Sequence, residues 1–268
     1  MLPPLPMRID HLPGRGRGLV ATRAIAKGEL VLTEAPLVCV PATARADGCP
    51  HPPWAALGGG AATLDAEWAA MKGQQFPRVC LRVLGLLLAQ PSIWQDQLRH
   101  LCFPTMDDGG WPEEWNADFK RARSVLLGTA GDAPSSDEAA PVSKKDFDSM
   151  FAPSVWGTLM GMAHLNTFRL QCGDGSSGGS SSATESTCLF VVGSFFNHDC
   201  NANVQISAAN DSDTEPIFAF TAVRDVEEGQ ELCSKHPCTP ASPLLKKGAS
   251  PLTDCLWLSL VRGRGCSG

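Results

Sequence analysis

Gly193-Ser194-Phe195-Phe196-Asn197-His198-Asp199-Cys200-Asn201-Ala202-Asn203 sets an Asn-His pair directly behind two phenylalanines, and the apolar run Leu189 to Val192 precedes them. The apolar residues belong in a core. An asparagine and a histidine at the end of such a run cannot be buried without hydrogen-bond partners. The stretch therefore reads as a polar site beside a buried strand, where backbone and side-chain groups hold a polar ligand.

Working outward, a second block stands near the start: Gly14-Arg15-Gly16-Arg17-Gly18-Leu19-Val20-Ala21. Its alternating glycines allow positive φ and close approach of backbone to a ligand. Its two arginines offer fixed positive charge for a carboxylate. A dinucleotide-binding loop needs a strand before it and a helix after it. Here Pro13 precedes and β-rich residues follow, so the competing readings are a ligand-holding turn and a plain turn between strands. A third block, Glu227-Glu228-Gly229-Gln230-Glu231-Leu232, lies beyond the central one.

Composition is permissive. A chain of 268 residues, 43% hydrophobic and 19% charged, can bury a sizeable core and reads as globular. A net charge of −6 argues against a partner bound through nucleic-acid phosphates and is compatible with a basic peptide. No segment approaches the about 18 apolar residues of a membrane span, and Val79 to Ala89 is interrupted by Arg82. Met1 to Asp10 lacks the apolar core of a secretory signal. Eleven cysteines without such a signal point to a reducing, intracellular compartment, nuclear or cytoplasmic. No C-x-x-C pair occurs, so no metal site is expected; a set built on Cys39, Cys49 and His51 has irregular spacing.

Along the chain, residues 8 to 40 read as short strands, with Leu19 to Thr22 and Glu29 to Leu32 joined through Ala26-Lys27-Gly28-Glu29. Residues 41 to 62 read as a loop. Helices are predicted from Thr63, over Arg78 to Gln90 behind Pro77 (Val79, Val83, Leu86 and Leu87 sharing a face), and over Glu113 to Leu127. A polar loop covers 128 to 142. Lys144 to Phe168 reads as helix broken at Pro153, and 173 to 187 as a flexible linker. Strands return at Cys188 to Gly193, Asn203 to Ser207 and Ile217 to Thr221, and residues 237 to 268 read as an irregular or disordered tail. The fold class is α+β: short strands split by a helical insert, about 63 to 168, within one domain over 8 to 236.

The three blocks in this order, with Glu34-Ala35-Pro36-Leu37 after the first strands, resemble the SET-domain family of protein lysine methyltransferases. The long helical insert is most similar to the SET-and-MYND type, without its MYND finger. The resemblance implies S-adenosyl-L-methionine as cofactor and a lysine side chain of a protein, histone or non-histone, as substrate. It implies that Arg15, Gly16, Arg17 and Gly18 lie at the cofactor's amino-acid end, and that Asn197 binds by its side chain and His198 largely by its main chain near the adenine. Asn166, in Leu165-Asn166-Thr167-Phe168, falls where SET-and-MYND relatives place a further cofactor-contacting Asn. Relatives with a C-terminal cysteine cluster put the residue matching Cys200 on zinc; without that cluster it is expected to be a buried thiol. The family's channel tyrosine falls at His236, and the chain contains no tyrosine at all. The pattern is lost after Leu232, as in a truncated or alternatively spliced product, and a catalytically inactive SET-like module is the alternative to an enzyme.

Overall fold

The computed structural model describes residues 5–42, 57, 60–71, 73–105, 110–129, 151–172, 184–209, 216–235 and 246–248. Contacts divide the chain into two compact units, Met1–Ala42 with Asn166–Pro240, and Thr43–Leu165 with Ala241–Gly268.

In chain order the elements begin with β1 (Met7–Leu12), β2 (Gly16–Ala21), β3 (Leu30–Glu34) and β4 (Val38–Pro41). The helices α1 (Gly60–Ala69), α2 (Gln75–Ala89) and α3 (Ser92–Asp96) follow, then a 3-10 turn at Leu98–His100 and β5 (Phe103–Thr105). After α4 (Glu113–Thr129) and α5 (Pro153–Asn166) come β6 (Thr167–Cys172) and β7 (Thr184–Leu189). The series continues through a 3-10 turn at Gly193–Phe195 to β8 (Asn197–His198), β9 (Val204–Ala208), β10 (Phe218–Ala222), β11 (Glu231–Ser234) and β12 (Lys246–Gly248).

The first unit is built of strands. One sheet runs β1-β2-β11-β9-β10-β3, with the two-residue β8 parallel to β11; a second runs β4-β7-β6. β10 shows why. Its Phe-Ala-Phe-Thr-Ala alternation turns Phe218 and Phe220 into the core while both edges pair antiparallel, with β9 and with β3. Phe190 is the hub of that core, edge-on to Phe168, Phe218 and Phe220 with ring centroids 5.5–5.7 Å apart. Phe196 stacks on Phe220 at 4.9 Å. Such pairs add about 0.5–1.5 kcal/mol each beyond the area they bury. They anchor the segment that ends in Asn197.

The second unit is mostly helical. Val79, Val83 and Leu87 of α2 are buried together as the spacing predicts. Arg78 and Arg82, on the same helix, are buried as well. Arg78 forks onto Asp65 of α1 with Nε–Oδ1 at 3.0 Å and Nη2–Oδ2 at 3.2 Å, and Arg82 reaches Oδ2 at 3.4 Å. Burial is tolerated because the charges are paired and hydrogen-bonded. Among the described residues no single helix is long and apolar enough to cross a membrane.

Several element limits differ from expectation. α1 starts at Gly60, ahead of Thr63, because Ala61 and Ala62 are good helix formers. Pro153 opens α5, where a proline in the first turn forfeits no bond; residues 144–150, expected to be helical, lie outside the described residues. α5 ends at Asn166, so Thr167 and Phe168, expected at the end of the insert, belong to β6. Thr184 to Thr187, expected in the linker, form a strand instead: β7 is paired on both edges, by β4 and β6, and Ser186 and Thr187 are buried. The strand expected over 188 to 193 stops at Leu189, where the Glu34 carboxylate captures the N–H groups of the backbone that follows. Lys246–Gly248, in the tail expected to be irregular, pairs with Phe103–Thr105. The rest of that tail, residues 173–183 and most of the 128 to 142 loop lie outside the described residues.

Burial displaces the titrations of Asp118 and His164 in the helical unit. Asp118 is pushed up to about 6, by burial first and then by Glu114 one turn earlier. His164, ring-stacked between Phe76 at 3.7 Å and Trp115 at 5.2 Å, is pushed down to about 4 by burial. Their signs oppose. As pH falls through 6, folded Asp118 takes its proton before the unfolded chain does, which adds stability. From 6.5 downward the unfolded chain protonates its histidine while folded His164 resists until about 4, which removes stability. Asp118→Asn deletes the first contribution. Its Tm is expected to drop more steeply than the parent's between pH 6.5 and 4, and parallel curves would contradict the assignment.

Candidate functional site

The β1–β2 hairpin brings the glycine-arginine block to the sheet. Gly14 and Gly16 carry φ of 73° and 75°, and the Arg15 N–H closes the turn on the Leu12 carbonyl at 3.1 Å. Gly18 is needed for a different reason. It lies inside β2, and a Cβ there would stand 2.6 Å from Asn197 Nδ2, 2.6 Å from Leu12 Cδ1 and 3.2 Å from Glu231 Oε1. Backbone of the first block thus passes directly against the side chain of the central block.

Asn197 arrives by a separate route. Beyond Leu189 the backbone leaves the sheet because Glu34, at the end of β3, captures it: Oε1 accepts the N–H groups of Val191 at 2.8 Å and Val192 at 2.9 Å, and Oε2 that of Gly193 at 2.7 Å. Burial raises the Glu34 carboxyl above its usual range, against the pull of those three N–H donors. The 3-10 turn follows, with Ser194 Oγ donating toward the Asn166 carbonyl at 2.9 Å and the Phe190 carbonyl at 2.6 Å. Gly193 fits there because a Cβ would meet Phe220 Cζ at 2.7 Å.

The side chain of Asn197 then has a determined orientation. Its Nδ2 donates to Glu231 Oε1 at 2.8 Å and to the Arg17 carbonyl at 3.3 Å. Only the NH2 end can face two oxygen acceptors, so Oδ1 takes no part in these two contacts. Glu231 is shared. Its Oε2 pairs with Arg15 Nη1 at 3.0 Å, while Arg15 Nη2 donates to the His198 carbonyl at 2.7 Å. Asn203 ties the same strand from below, donating to the Glu231 carbonyl and accepting the Cys233 N–H, both at 2.8 Å. The Arg17 guanidinium sits 5.3 Å over the Phe195 ring. Cys233 is pushed up to about 11, chiefly by burial and then by Glu231, so it stays a thiol at neutral pH.

Arg15, Arg17, Gly18, Asn197 and His198 therefore meet at the junction of β2, β8 and β11, with Gly16 opening β2. Asn166 is buried at the end of α5 and touches the site's turn through its backbone. Cys200 departs from expectation: it is exposed, with Sγ 3.4 Å from His198 Nε2, because Asp199 Oδ1 and the Asn201 N–H turn the chain outward at 2.8 Å. His236, Cys49 and His51 lie outside the described residues. Sequence reasoning did not single out Glu231, Asn203 and Ser194 as the groups that hold the site. Glu34 and Glu231 stood in noticed motifs, yet nothing local says what a carboxylate will grip.

Comparison with known proteins places the chain in a family. The model of the SET domain matches residues 16–236. The chain is 24% identical over 280 residues to the histone-lysine N-methyltransferase ATXR4 of Arabidopsis thaliana, covering 85% of this chain and 77% of that one. Among solved structures it is similar to the SET domain of LSMT bound to lysine and AdoHcy, with 11% identity and a TM-score of 0.40, over 89% of this chain and 51% of that one. The same domain bound to methyl-lysine and AdoHcy gives 12% identity and 0.40, over 88% and 49%. The chain spans about half the length of these solved structures. The match to the family model begins at β2 and takes in every later strand of the strand unit, and the chain belongs to the SET domain family.

Proposed function

We propose that the chain is a protein lysine methyltransferase that uses S-adenosyl-L-methionine, with a histone or another lysine-bearing protein as substrate, acting in the nucleus or cytoplasm. The observation that carries this reading is the convergence of Gly18, Asn197 and Glu231, with the Asn197 amide oriented by two acceptors. The residues fit such a cofactor: Gly14 and Gly16 have nothing within 4 Å of where a Cβ would stand, and Arg15 and Arg17 alternate with them along the chain. In this reading Arg15, Gly16, Arg17 and Gly18 hold the amino-acid end, Asn197 and Asn166 contribute polar groups, and the His198 main chain faces the base. Bound there, S-adenosyl-L-methionine supplies an electrophilic methyl group. The chain's own part is alignment, holding the ligand's polar ends so that an incoming neutral amine meets the methyl in line. We place the catalytic domain at residues 8 to 236 and class it as SET-and-MYND type, on the helical insert between β4 and β6.

Radiolabelled cofactor and mixed histones test the reading: transfer of label to histone lysine is the expected result. The chain's lack of tyrosine favours a second reading, an inactive SET-like module. Binding of S-adenosylhomocysteine without any transfer, automethylation included, would select that module. Absence of both binding and transfer would end both readings.

A further inference from the structure

We propose that Cys39 and Cys188 form an oxidation site, a cross-strand dithiol that closes to a disulfide. The two residues are directly opposite in the antiparallel β4–β7 pair, and their sulfurs lie 3.5 Å apart. The hydrogen-bond phase of the ladder decides what kind of pair this is. The Ala42 N–H donates to the Glu185 carbonyl at 2.8 Å, so that position is hydrogen-bonded, and positions alternate along the register. Pro41 opposite Ser186 then falls at a non-bonded position, as it must, having no N–H to give. Two steps on, Cys39 and Cys188 fall at the next non-bonded position. There the Cα atoms are about 4.5 Å apart and the side chains are closest, within the about 4.4–6.8 Å span that a disulfide bridges.

Exposure is unequal, which orders the chemistry. Cys39 is partly exposed on β4, the sheet's edge strand, and Cys188 is fully buried on the central strand. The Cys39 thiolate attacks hydrogen peroxide, forming an S–O bond and breaking O–O, and leaves as sulfenic acid with release of hydroxide. The Cys188 sulfur then attacks the Cys39 sulfur, forming S–S and breaking S–O. The hydroxyl departs with the Cys188 proton as water. In total two thiols and one peroxide give one disulfide and two waters.

The staple would tie chain segments that are already clamped once. Cys188 lies three residues before Val191, and Cys39 five residues after Glu34, whose carboxylate grips Val191 to Gly193. Closing the pair joins β4 covalently to β7 across the whole helical insert, and a loop of that length gives a large constraint on the unfolded chain.

The test uses the full chain, treated with hydrogen peroxide, alkylated and digested. The expected result is a linked peptide containing Cys39 and Cys188, reversed by dithiothreitol, with exposed Cys200 alkylated rather than joined to either residue. Closure is expected to raise Tm by about 5 °C or more. Cys39→Ser should fold normally and lose both the linked peptide and the Tm rise; Cys188→Ala should lose them too. Linkage of other cysteines while Cys39 and Cys188 remain thiols would overturn the proposal. So would a Tm rise that persists in Cys39→Ser.

Discussion

Glu34→Ala is expected to lower the protein's stability by about 2–5 kcal/mol, read as a fall in the urea midpoint. The carboxylate receives three consecutive backbone N–H groups, two on Oε1 and one on Oε2. Removing it leaves those donors in a half-buried loop with no strand to pair with, and each such loss costs about 1–3 kcal/mol when water cannot fully replace the acceptor. Set against a typical stability of about 5–15 kcal/mol, the change is large. Glu34→Gln is the informative companion. With its carbonyl on Val191 and Val192, its NH2 would face the Gly193 N–H, two donors opposed. An intermediate fall is therefore expected. An Ala variant with an unchanged midpoint would show that the carboxylate does not hold this loop.

Asn197→Ala is expected to weaken S-adenosylhomocysteine binding by about 100-fold or more, measured calorimetrically, while shifting the urea midpoint little. The amide joins β2 to Glu231, and in the proposed reading its carbonyl oxygen is the group left for a ligand. Truncation removes that acceptor and takes the amide donor from Glu231 Oε1, while Oε2 keeps its pair with Arg15. Gly18→Ala reaches the same side chain without deleting any polar group, because its methyl would stand 2.6 Å from Asn197 Nδ2 and must displace it. A loss of about tenfold or more is expected there too, since a misplaced partner at a hydrogen-bonding site costs about 1.4 kcal/mol or more. Unchanged affinity in both variants would remove Asn197 from the binding site.

Much of the strand unit was legible because its signals are local. Alternation in Phe218 to Ala222 and the Gly14–Gly18 pattern each announce a conformation within a few residues. Elsewhere local signals pointed the wrong way. Thr184 to Thr187 follow a Ser/Gly-rich stretch and carry little apolar character, yet pairing on both edges makes them a strand. Leu189 to Val192 look like one apolar strand, but it ends where a distant carboxylate captures the backbone. Cys200 sits in a buried-looking motif and is exposed, since Asp199 turns the chain outward.

The chain's own order of residues determined which groups have the chemistry to hold a polar ligand: the glycine-arginine block, the Asn-His pair, the acidic block before β11. It also determined the family, because the identity and sequence of those blocks are linear properties. Which end of the Asn197 amide Glu231 and Arg17 hold, that Glu231 links Asn197 to Arg15, and that Cys39 meets Cys188 were decided only by tertiary structure. These depend on contacts between residues 34 to 216 positions apart. Hydrogen bonds and sulfur contacts act over about 3–4 Å, and no local preference encodes which distant residue will come within that range.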